Sequence, residues 1–134
     1  YNCGRYGAVS FAVRRDSLLA SGSTFSLLFG GGAKYSNGED SLFLAEFLRK
    51  GYKVYTAPVT IGREEAGDST WFHGYNEKFF HDRGVLYHYL YGRLAGPLAL
   101  RFLYAHRGTL CTDVSLKQAK QWMRDGIREA RKRG

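Results

Sequence analysis

The stretch from residue 30 to residue 55, GGGAKYSNGEDSLFLAEFLRKGYKVY, constrains the fold more than any other part of the chain. Its middle predicts an amphipathic helix, because apolar residues repeat at helical spacing and form one wide stripe: Leu42, Phe43, Ala45, Phe47 and Leu48. Arg49 and Lys50 fall in the last turn, and Gly51 stands where a left-handed C-terminal cap belongs. The residues that follow, 53–57, predict a strand.

Alternating apolar residues predict further strands on either side of this helix. Val9, Phe11 and Val13 alternate with small residues, and residues 59–62 are a candidate for another short strand. Between the first strand and the glycine-rich stretch, Asp16 predicts the cap of a short helix over residues 17–20 that ends at Gly22. The sequence therefore predicts an α/β fold, with a small mixed sheet flanked by helices.

The second half of the chain predicts helices. Helical spacing begins after Asn76, and residues 85–104 predict a pair of core or interfacial helices bent at Gly96 and Pro97. This segment is too charged and too interrupted for a membrane-spanning helix, which needs about 20 mostly apolar residues. We predict one compact region over residues 1–91, followed by a helical, basic extension over residues 92–134.

A final helix is predicted to start near Asp113 or Ser115, with Gln118 completing a capping box to Ser115. One face of this helix is apolar and consists of Ala119, Trp122, Met123, Ile127 and Ala130. The chain has a net charge of +8, and half of that excess lies in the last 22 residues, where seven basic residues face three acidic ones. Such a tail suits an anionic partner.

Two kinds of anionic partner fit the basic tail, namely nucleic acid and a membrane surface. No zinc-finger spacing or RNP sequence is present, so we expect no nucleic acid and favour an anionic membrane surface. With Trp122 and Ile127 facing the lipid, the last helix would lie on that surface. The alternative is a helix whose charges only face water, while its apolar side packs on the core.

The ends of the chain suggest its origin and compartment. It begins with Tyr1, and its only methionine is Met123, which indicates a processed chain or a fragment of a longer one. Cys3 and Cys111 lie near opposite ends without metal-ligand spacing. We therefore expect no disulfide framework and a reducing cytoplasmic compartment.

An acidic pair, Glu39 and Asp40, stands at the predicted start of the helix, directly after the glycine-rich loop 30–38. The helix dipole and the free N–H groups favour a carboxylate there. A helix would hold the carboxylate rigidly, while the loop could close over a substrate, and general base catalysis needs such a positioned group. The alternative is an acidic first turn that only stabilises the helix.

These elements, in this order, resemble the second half of the family 2 glycosyltransferases, which have the GT-A fold. The family has a strand ending in two basic residues, a Gly-x-Phe segment, a mobile loop, an acidic pair and a Gly-Tyr-Lys-Val step. The corresponding residues here are 11–16, 22–25, 30–38, 39–40 and 51–54, and residues 22–25 read Gly-Ser-Thr-Phe. Residues 69–72 and 82–84 are similar to members that build cell-surface polysaccharides. The resemblance covers about residues 5–91 and implies a partial GT-A fold.

The resemblance also implies an inverting transfer with Asp40 as the general base. Asp40 would deprotonate the acceptor hydroxyl, which attacks the anomeric carbon of a nucleotide sugar. Asn37, Gly38 and Glu39 would contact the substrate. Trp71 would offer a platform for a sugar or a lipid-linked acceptor, the alternative being a buried core tryptophan.

A divalent metal, Mn or Mg, is implied for the complete enzyme. His73 is the first candidate ligand and His81 the second, although a lone histidine beside aromatic residues is more often structural. The family's Asp-x-Asp motif is absent from the chain. We therefore expect the isolated chain to bind no nucleotide sugar and to need a donor-binding half.

The expected partners are a nucleotide sugar, a glycan or lipid-linked acceptor, and the inner face of an anionic membrane. Apolar surface left uncovered by the absent half would favour self-association of the isolated chain. The alternative function is a non-catalytic basic module that binds an anionic membrane or a protein partner.

Overall fold

A computed structural model of the protein describes Cys3, Gly7, residues 10–62 and residues 74–133. In these residues the regular secondary structure is helical. Within those ranges there are six α-helices: α1 (Arg15–Ser21), α2 (Glu39–Arg49), α3 (Glu77–Tyr91), α4 (Ala95–Ala105), α5 (Arg107–Leu110) and α6 (Leu116–Arg133). A short 3-10 helix, Gly92–Leu94, joins α3 to α4. None of these helices is long and apolar enough to cross a membrane.

The predicted α/β fold, a small mixed sheet in a partial GT-A domain, is wrong for the described residues. Residues 11–14 and 52–62 belong to no strand, and strand-like pairing in the described ranges is limited to one bridge between Phe29 and Tyr35. Of these predicted strand residues, Phe11, Val13 and Val54 pack on a helix instead. They cover the three buried residues of α2 that form a separate core cluster, Phe43, Leu44 and Phe47.

Ring contacts show how a helix replaces the expected sheet. The Phe11 ring stacks on Phe43 with centroids 6.1 Å apart, and the Tyr52 ring stacks on Phe47 at 4.4 Å. A period-two pattern indicates which side chains face the core, and it is satisfied equally by a neighbouring strand or by the side of a helix. The predicted strands are therefore wrong, and the partly buried side chains of Phe11, Val13, Tyr52 and Val54 contact α2 instead.

The predicted helix at the centre of the glycine-rich stretch is confirmed as α2, and so is its C-terminal cap. Gly51 has φ +88°, the left-handed region that glycine adopts without steric cost. The Gly51 N–H donates to the Leu48 carbonyl at 3.0 Å, and the Tyr52 N–H donates to the Phe47 carbonyl at 3.3 Å. These two bonds are the Schellman pattern, which satisfies carbonyls that the helix itself leaves open.

The bend between the two helices was predicted at Gly96 and Pro97, but the structure has it between Tyr91, where α3 ends, and Ala95, where α4 begins. α3 ends at Tyr91, and Gly92 follows with φ +55°. Pro97 lies in the first turn of α4, where a backbone N–H has no helical partner and its absence costs nothing. The break is therefore at Gly92, because glycine readily adopts the left-handed conformation that ends α3.

The long helices α3 and α6 cross at two glycines. A Cβ atom added at Gly84 of α3 would overlap the Met123 carbonyl of α6, and one added at Gly126 of α6 would overlap the His81 carbonyl of α3. Glycine in a helix costs up to about 1 kcal/mol relative to alanine. The close backbone approach offsets this cost, because it lets the apolar faces of both helices share one core.

The capping box of the last helix is confirmed, as is its buried face. The Ser115 hydroxyl accepts from the Gln118 N–H at 3.2 Å, and the Ser115 N–H donates to Gln118 Oε1 at 3.1 Å. Trp122 is partly buried, with its ring centroid 6.1 Å from that of Phe80, and Ile127 is buried. The expectation that Trp122 and Ile127 face lipid is therefore wrong, since both pack in the hydrophobic core that α6 shares with α3 and α4.

Two core clusters surround the α3–α6 crossing. One joins α3, α4, α5 and α6 around Phe80, Leu103 and Met123, and the other joins the segment 29–35 to α2, α3 and α6. The predicted boundary at residue 91 falls at the end of α3, which packs against α4 and α6 beyond it. The division into two regions at that point stays a prediction.

We expect Gly84→Ala to destabilise the protein by about 2 kcal/mol, because the added methyl group must push α3 and α6 apart. Gly96→Ala is the matched control, since Gly96 also lies in a helix but a Cβ there meets no atom within 4 Å. Urea denaturation followed by circular dichroism measures both changes. Equal stability of Gly84→Ala and the wild-type protein would show that the crossing tolerates a side chain.

Candidate functional site

The predicted acidic pair occupies the first turn of α2. Gly38 is the N-cap residue, and the Gly38 N–H donates to Glu39 Oε2 at 2.9 Å. The Glu39 carboxylate is therefore used locally, against the backbone of the loop. Asp40 is the next residue of the helix and is partly buried. Its Oδ2 atom would lie 3.7 Å from a Cβ placed on Gly7, so the side chain points toward residue 7.

Gly38 cannot be replaced without disturbing the start of α2. Its φ is +121°, which side chains of L residues rarely adopt. A Cβ at this position would also lie 2.7 Å from the methyl groups of Leu86 in α3. Because Leu86 is fully buried, the contact has little freedom to relax. Gly38 thus fixes where α2 begins relative to α3.

The glycine-rich loop before α2 has a fixed base and an exposed tip. The Gly30 N–H donates to the Tyr35 carbonyl, and the Tyr35 N–H donates to the Leu28 carbonyl, both at 3.0 Å. Phe29 and Tyr35 are buried with ring centroids 4.9 Å apart, whereas Gly31 and Gly32 are exposed. Only the tip is therefore outside the packed structure.

Asp82 of α3 anchors the end of this loop. Its Oδ2 atom accepts from the Ser36 N–H at 2.8 Å, from the Ser36 hydroxyl at 2.9 Å and from Lys78 Nζ at 2.7 Å. Lys78 Nζ also donates to the Lys34 carbonyl at 3.0 Å. Asp82 is buried, and a buried carboxylate is stable only when it is paired and hydrogen-bonded in this way. α3 therefore holds the backbone only a few residues before Asp40.

Glu129 of α6 holds the same loop from the other side. Glu129 Oε1 accepts from Lys34 Nζ at 2.7 Å and from the Tyr35 hydroxyl at 2.9 Å, and Oε2 lies 3.1 Å from His81 Nε2. The Lys34 hydrogen bond is the main reason that the pKa of Glu129 falls to about 2. Beside these residues lies an open depression of about 460 Å³, lined by Lys34, Tyr35, Glu77, Lys78, His81 and Asp82.

Four of the six residues predicted for the site lie in the described part of the chain. Asn37, Gly38, Glu39 and Asp40 follow one another at the start of α2, and Asn37 is exposed. Trp71 and His73 lie outside the described residues.

The second candidate metal ligand, His81, contacts carboxylates other than the predicted acidic pair. It lies between two carboxylates, with Nδ1 3.5 Å from Asp82 Oδ1 and Nε2 close to Glu129. Within residues 10–62 and 74–133, no group of three His, Cys, Asp or Glu side chains is arranged to hold a metal ion. The Mn or Mg ion expected for the complete enzyme stays a prediction, because its first candidate ligand, His73, lies outside the described residues.

Sequence reasoning missed the residues that hold the loop, namely Lys78, Asp82 and Glu129. Lys78 and Asp82 are four positions apart on one helix, a spacing that indicates an ion pair. Glu129 is 95 residues from Lys34 in sequence, so no local signal could have joined them. Comparisons of the chain with protein-family models, with curated proteins and with solved structures found no match.

We expect Glu129→Gln to lower the free energy of unfolding at pH 7, on the order of 1 kcal/mol for loss of a partly exposed network. The native pKa of about 2 lies below the ordinary 4.5, so the ionised form stabilises the fold above pH 4.5. That stabilisation declines as the pH falls toward 2. The difference between Glu129→Gln and the wild-type protein should therefore narrow below pH 4.5.

Urea denaturation between pH 7 and pH 3 measures this difference. Asp125→Asn is the matched control, because it also removes one carboxylate from α6. Among the described residues, the Asp125 carboxylate hydrogen-bonds only to Gln121 and Arg128 of the same helix. Its effect should be smaller than that of Glu129→Gln. A Glu129→Gln effect that is constant with pH would contradict the assigned role of the carboxylate.

Proposed function

We propose that the chain is the acceptor-side part of an inverting glycosyltransferase, with Asp40 as the general base. The observation that carries this proposal is the position of Asp40 in the first turn of α2, behind a loop whose base is held by Asp82 and Glu129. A base is effective when its carboxylate is fixed within hydrogen-bond reach of the proton that it removes. The anchored loop and the helix together supply such a fixed position.

The surroundings of the two carboxylates favour Asp40 over Glu39 as the base. The Glu39 carboxylate accepts the Gly38 N–H, and it also lies beside Gly30, where a Cβ would be 3.2 Å from Glu39 Cδ. Glu39 thus orients the loop. Asp40 is the other carboxylate of this first turn, and its Oδ2 atom lies on the side that faces Gly7, 3.7 Å from where a Cβ of that residue would be.

The proposed reaction is a single displacement. Asp40 takes the proton from an acceptor hydroxyl as its oxygen attacks the anomeric carbon of the nucleotide sugar. The bond from that carbon to the phosphate oxygen breaks, and the nucleoside diphosphate leaves with the bonding electrons. Attack from the face opposite the leaving group inverts the configuration. Asn37 and Gly38 would contact the substrate where the loop meets α2.

Donor binding would come from a different part of the complete protein, because the chain has no Asp-x-Asp sequence. An apolar groove of about 630 Å³ lies along residues 10–14 and 52–61, and Tyr55, Val59 and Ile61 are largely exposed in it. Exposed apolar surface of this kind supports the prediction that the isolated chain self-associates.

We expect Asp40→Asn in the complete protein to lower sugar transfer by roughly 10²- to 10⁴-fold, the usual cost of losing a general base. The affinity for the nucleotide sugar should stay within about twofold, because this part of the chain does not hold the donor. The assay follows release of nucleoside diphosphate from a panel of UDP-, GDP- and dTDP-sugars, with oligosaccharide and lipid-linked acceptors.

Asp16→Asn is the matched control for this experiment. Asp16 is also an acidic residue in the first turn of a helix, but it lies in α1 and is exposed. Its substitution should leave transfer unchanged. More than a tenth of wild-type turnover in Asp40→Asn would rule out Asp40 as the base, and a wild-type protein that transfers no sugar from any donor would refute the proposed activity.

A second candidate function is binding to an anionic membrane through the outer face of α6, on the cytoplasmic side. Lys117, Arg124 and Arg131 are seven residues apart, so they form one row along the helix, and all three are exposed. None of the three makes an ion pair with a described residue. With the apolar face of α6 in the core, this binding would be electrostatic, without insertion of side chains into the lipid.

We expect replacement of Lys117, Arg124 and Arg131 by Gln to release the protein from vesicles that contain phosphatidylglycerol, because basic side chains near an anionic surface supply the attraction. Replacement of the exposed Arg93, Arg101 and Arg107 by Gln removes the same charge elsewhere and should change binding less. Cosedimentation at increasing salt measures both. Equal vesicle binding by the two triple variants would contradict a membrane role for α6.

A further inference from the structure

Arg83 of α3 is a cation placed in an aromatic cluster. Its guanidinium carbon lies 5.3 Å from the centre of the Phe79 ring and 5.4 Å from that of Phe102, so α3 and α4 each supply one ring. The next residue, Gly84, faces α6, which places Arg83 on a different side of α3. Tyr87 extends the cluster, with its ring centroid 5.8 Å from Phe102 and 5.2 Å from Tyr91.

No described residue neutralises this cation. Arg83 makes no ion pair or hydrogen bond within the described ranges, and its Nε atom is buried without a hydrogen-bond partner. Burial is the main reason that the pKa of Arg83 is lowered, and the titratable groups that act on it are tyrosines. Burial also raises the pKa of Tyr87 to about 12, so that side chain is a neutral phenol at pH 7 and supplies no counter-charge.

The two aromatic rings satisfy only part of the guanidinium. An aromatic face attracts its positive charge. Its five N–H donors lie in the plane of the group and need acceptors at its edge. A buried donor without an acceptor is destabilising, because it loses the hydrogen bond that it makes to water in the unfolded chain. By contrast, Arg49 donates to the Leu90 carbonyl at 2.7 Å, and Arg133 pairs with Glu129 at 3.2 Å.

We propose that Arg83 is the centre of a binding site for a phosphate group, which accepts hydrogen bonds from the guanidinium beside Phe79 and Phe102. A planar guanidinium binds two phosphate oxygens at once through parallel N–H bonds. The hydroxyls of Tyr87 and Tyr91 hydrogen-bond to no described residue, and as neutral phenols they are donors for a third oxygen. A site built of one cation and neutral donors suits phosphate better than a carboxylate, which has only two oxygens.

The phosphate could belong to a soluble molecule or to a lipid headgroup, and both present the same oxygens to Arg83. The site is separate from the acidic pair at the start of α2 and from the basic row of α6. Its existence therefore does not depend on the proposed transferase activity or on membrane binding by α6.

The first test measures stabilisation by soluble anions at constant ionic strength. Inorganic phosphate and pyrophosphate should raise the melting temperature of the wild-type protein, because a ligand that binds only the folded state stabilises it. Arg83→Gln should bind pyrophosphate at least about tenfold more weakly. Arg107→Gln, which removes an exposed arginine of α5, should respond as the wild type does. Arg83→Lys, which keeps the charge but loses the planar fork, should show a reduced response.

The second test observes the wild-type side chain directly and needs no variant to fold. In a two-dimensional ¹H–¹⁵N spectrum, the Nε–H signal of Arg83 should shift with pyrophosphate, while the other arginine signals move less. Vesicles of phosphatidic acid then distinguish a lipid source. Weaker vesicle binding by Arg83→Gln than by Arg107→Gln indicates a headgroup, and equal binding with a positive soluble test indicates a free phosphate ligand. If neither pyrophosphate nor phosphatidic acid distinguishes Arg83→Gln from Arg107→Gln, the proposal is wrong.

Discussion

The backbone contact between α3 and α6 is the constraint on which the rest of the described structure depends. Gly84 and Gly126 each face a carbonyl of the opposite helix, so the two helices approach more closely than any side chain would allow. At this separation the apolar faces interlock, and Phe80, Met123 and Leu103 of α4 become fully buried. Because interiors pack densely, a small increase in this separation would loosen every contact of that cluster.

The same crossing assembles the candidate site. Asp82 and Glu129 lie on the two crossing helices, and they reach the segment 34–36 from opposite sides. That segment leads directly to Gly38, which packs on Leu86 of α3 and begins α2. The position of the Asp40 backbone is thus set by two helices far along the chain, although the residue itself belongs to a short local motif.

Local signals predicted much of the helical structure and part of the candidate site. The caps predicted at Gly51 and Ser115 are formed by neighbours in sequence, and the structure confirms both. The cap predicted at Asp16 is wrong, because α1 begins at Arg15 and its N-cap residue is Arg14. The start of α2 at Glu39 and Asp40 is likewise indicated by residues that are neighbours in sequence. The strands were predicted wrongly over residues 53–57, since alternation indicates which residues are buried but not whether a strand or a helix covers them.

The sequence by itself determined where α2, α3 and α6 begin and which faces they bury, because caps and helical spacing act over three or four residues. Only the tertiary structure decided that α6 turns its apolar face to α3 rather than to lipid. It alone paired Glu129 with Lys34 and placed Arg83 beside two rings, with no counter-charge among the residues that the structure describes. These contacts join residues of different elements, and their energy depends on distances that no local pattern encodes.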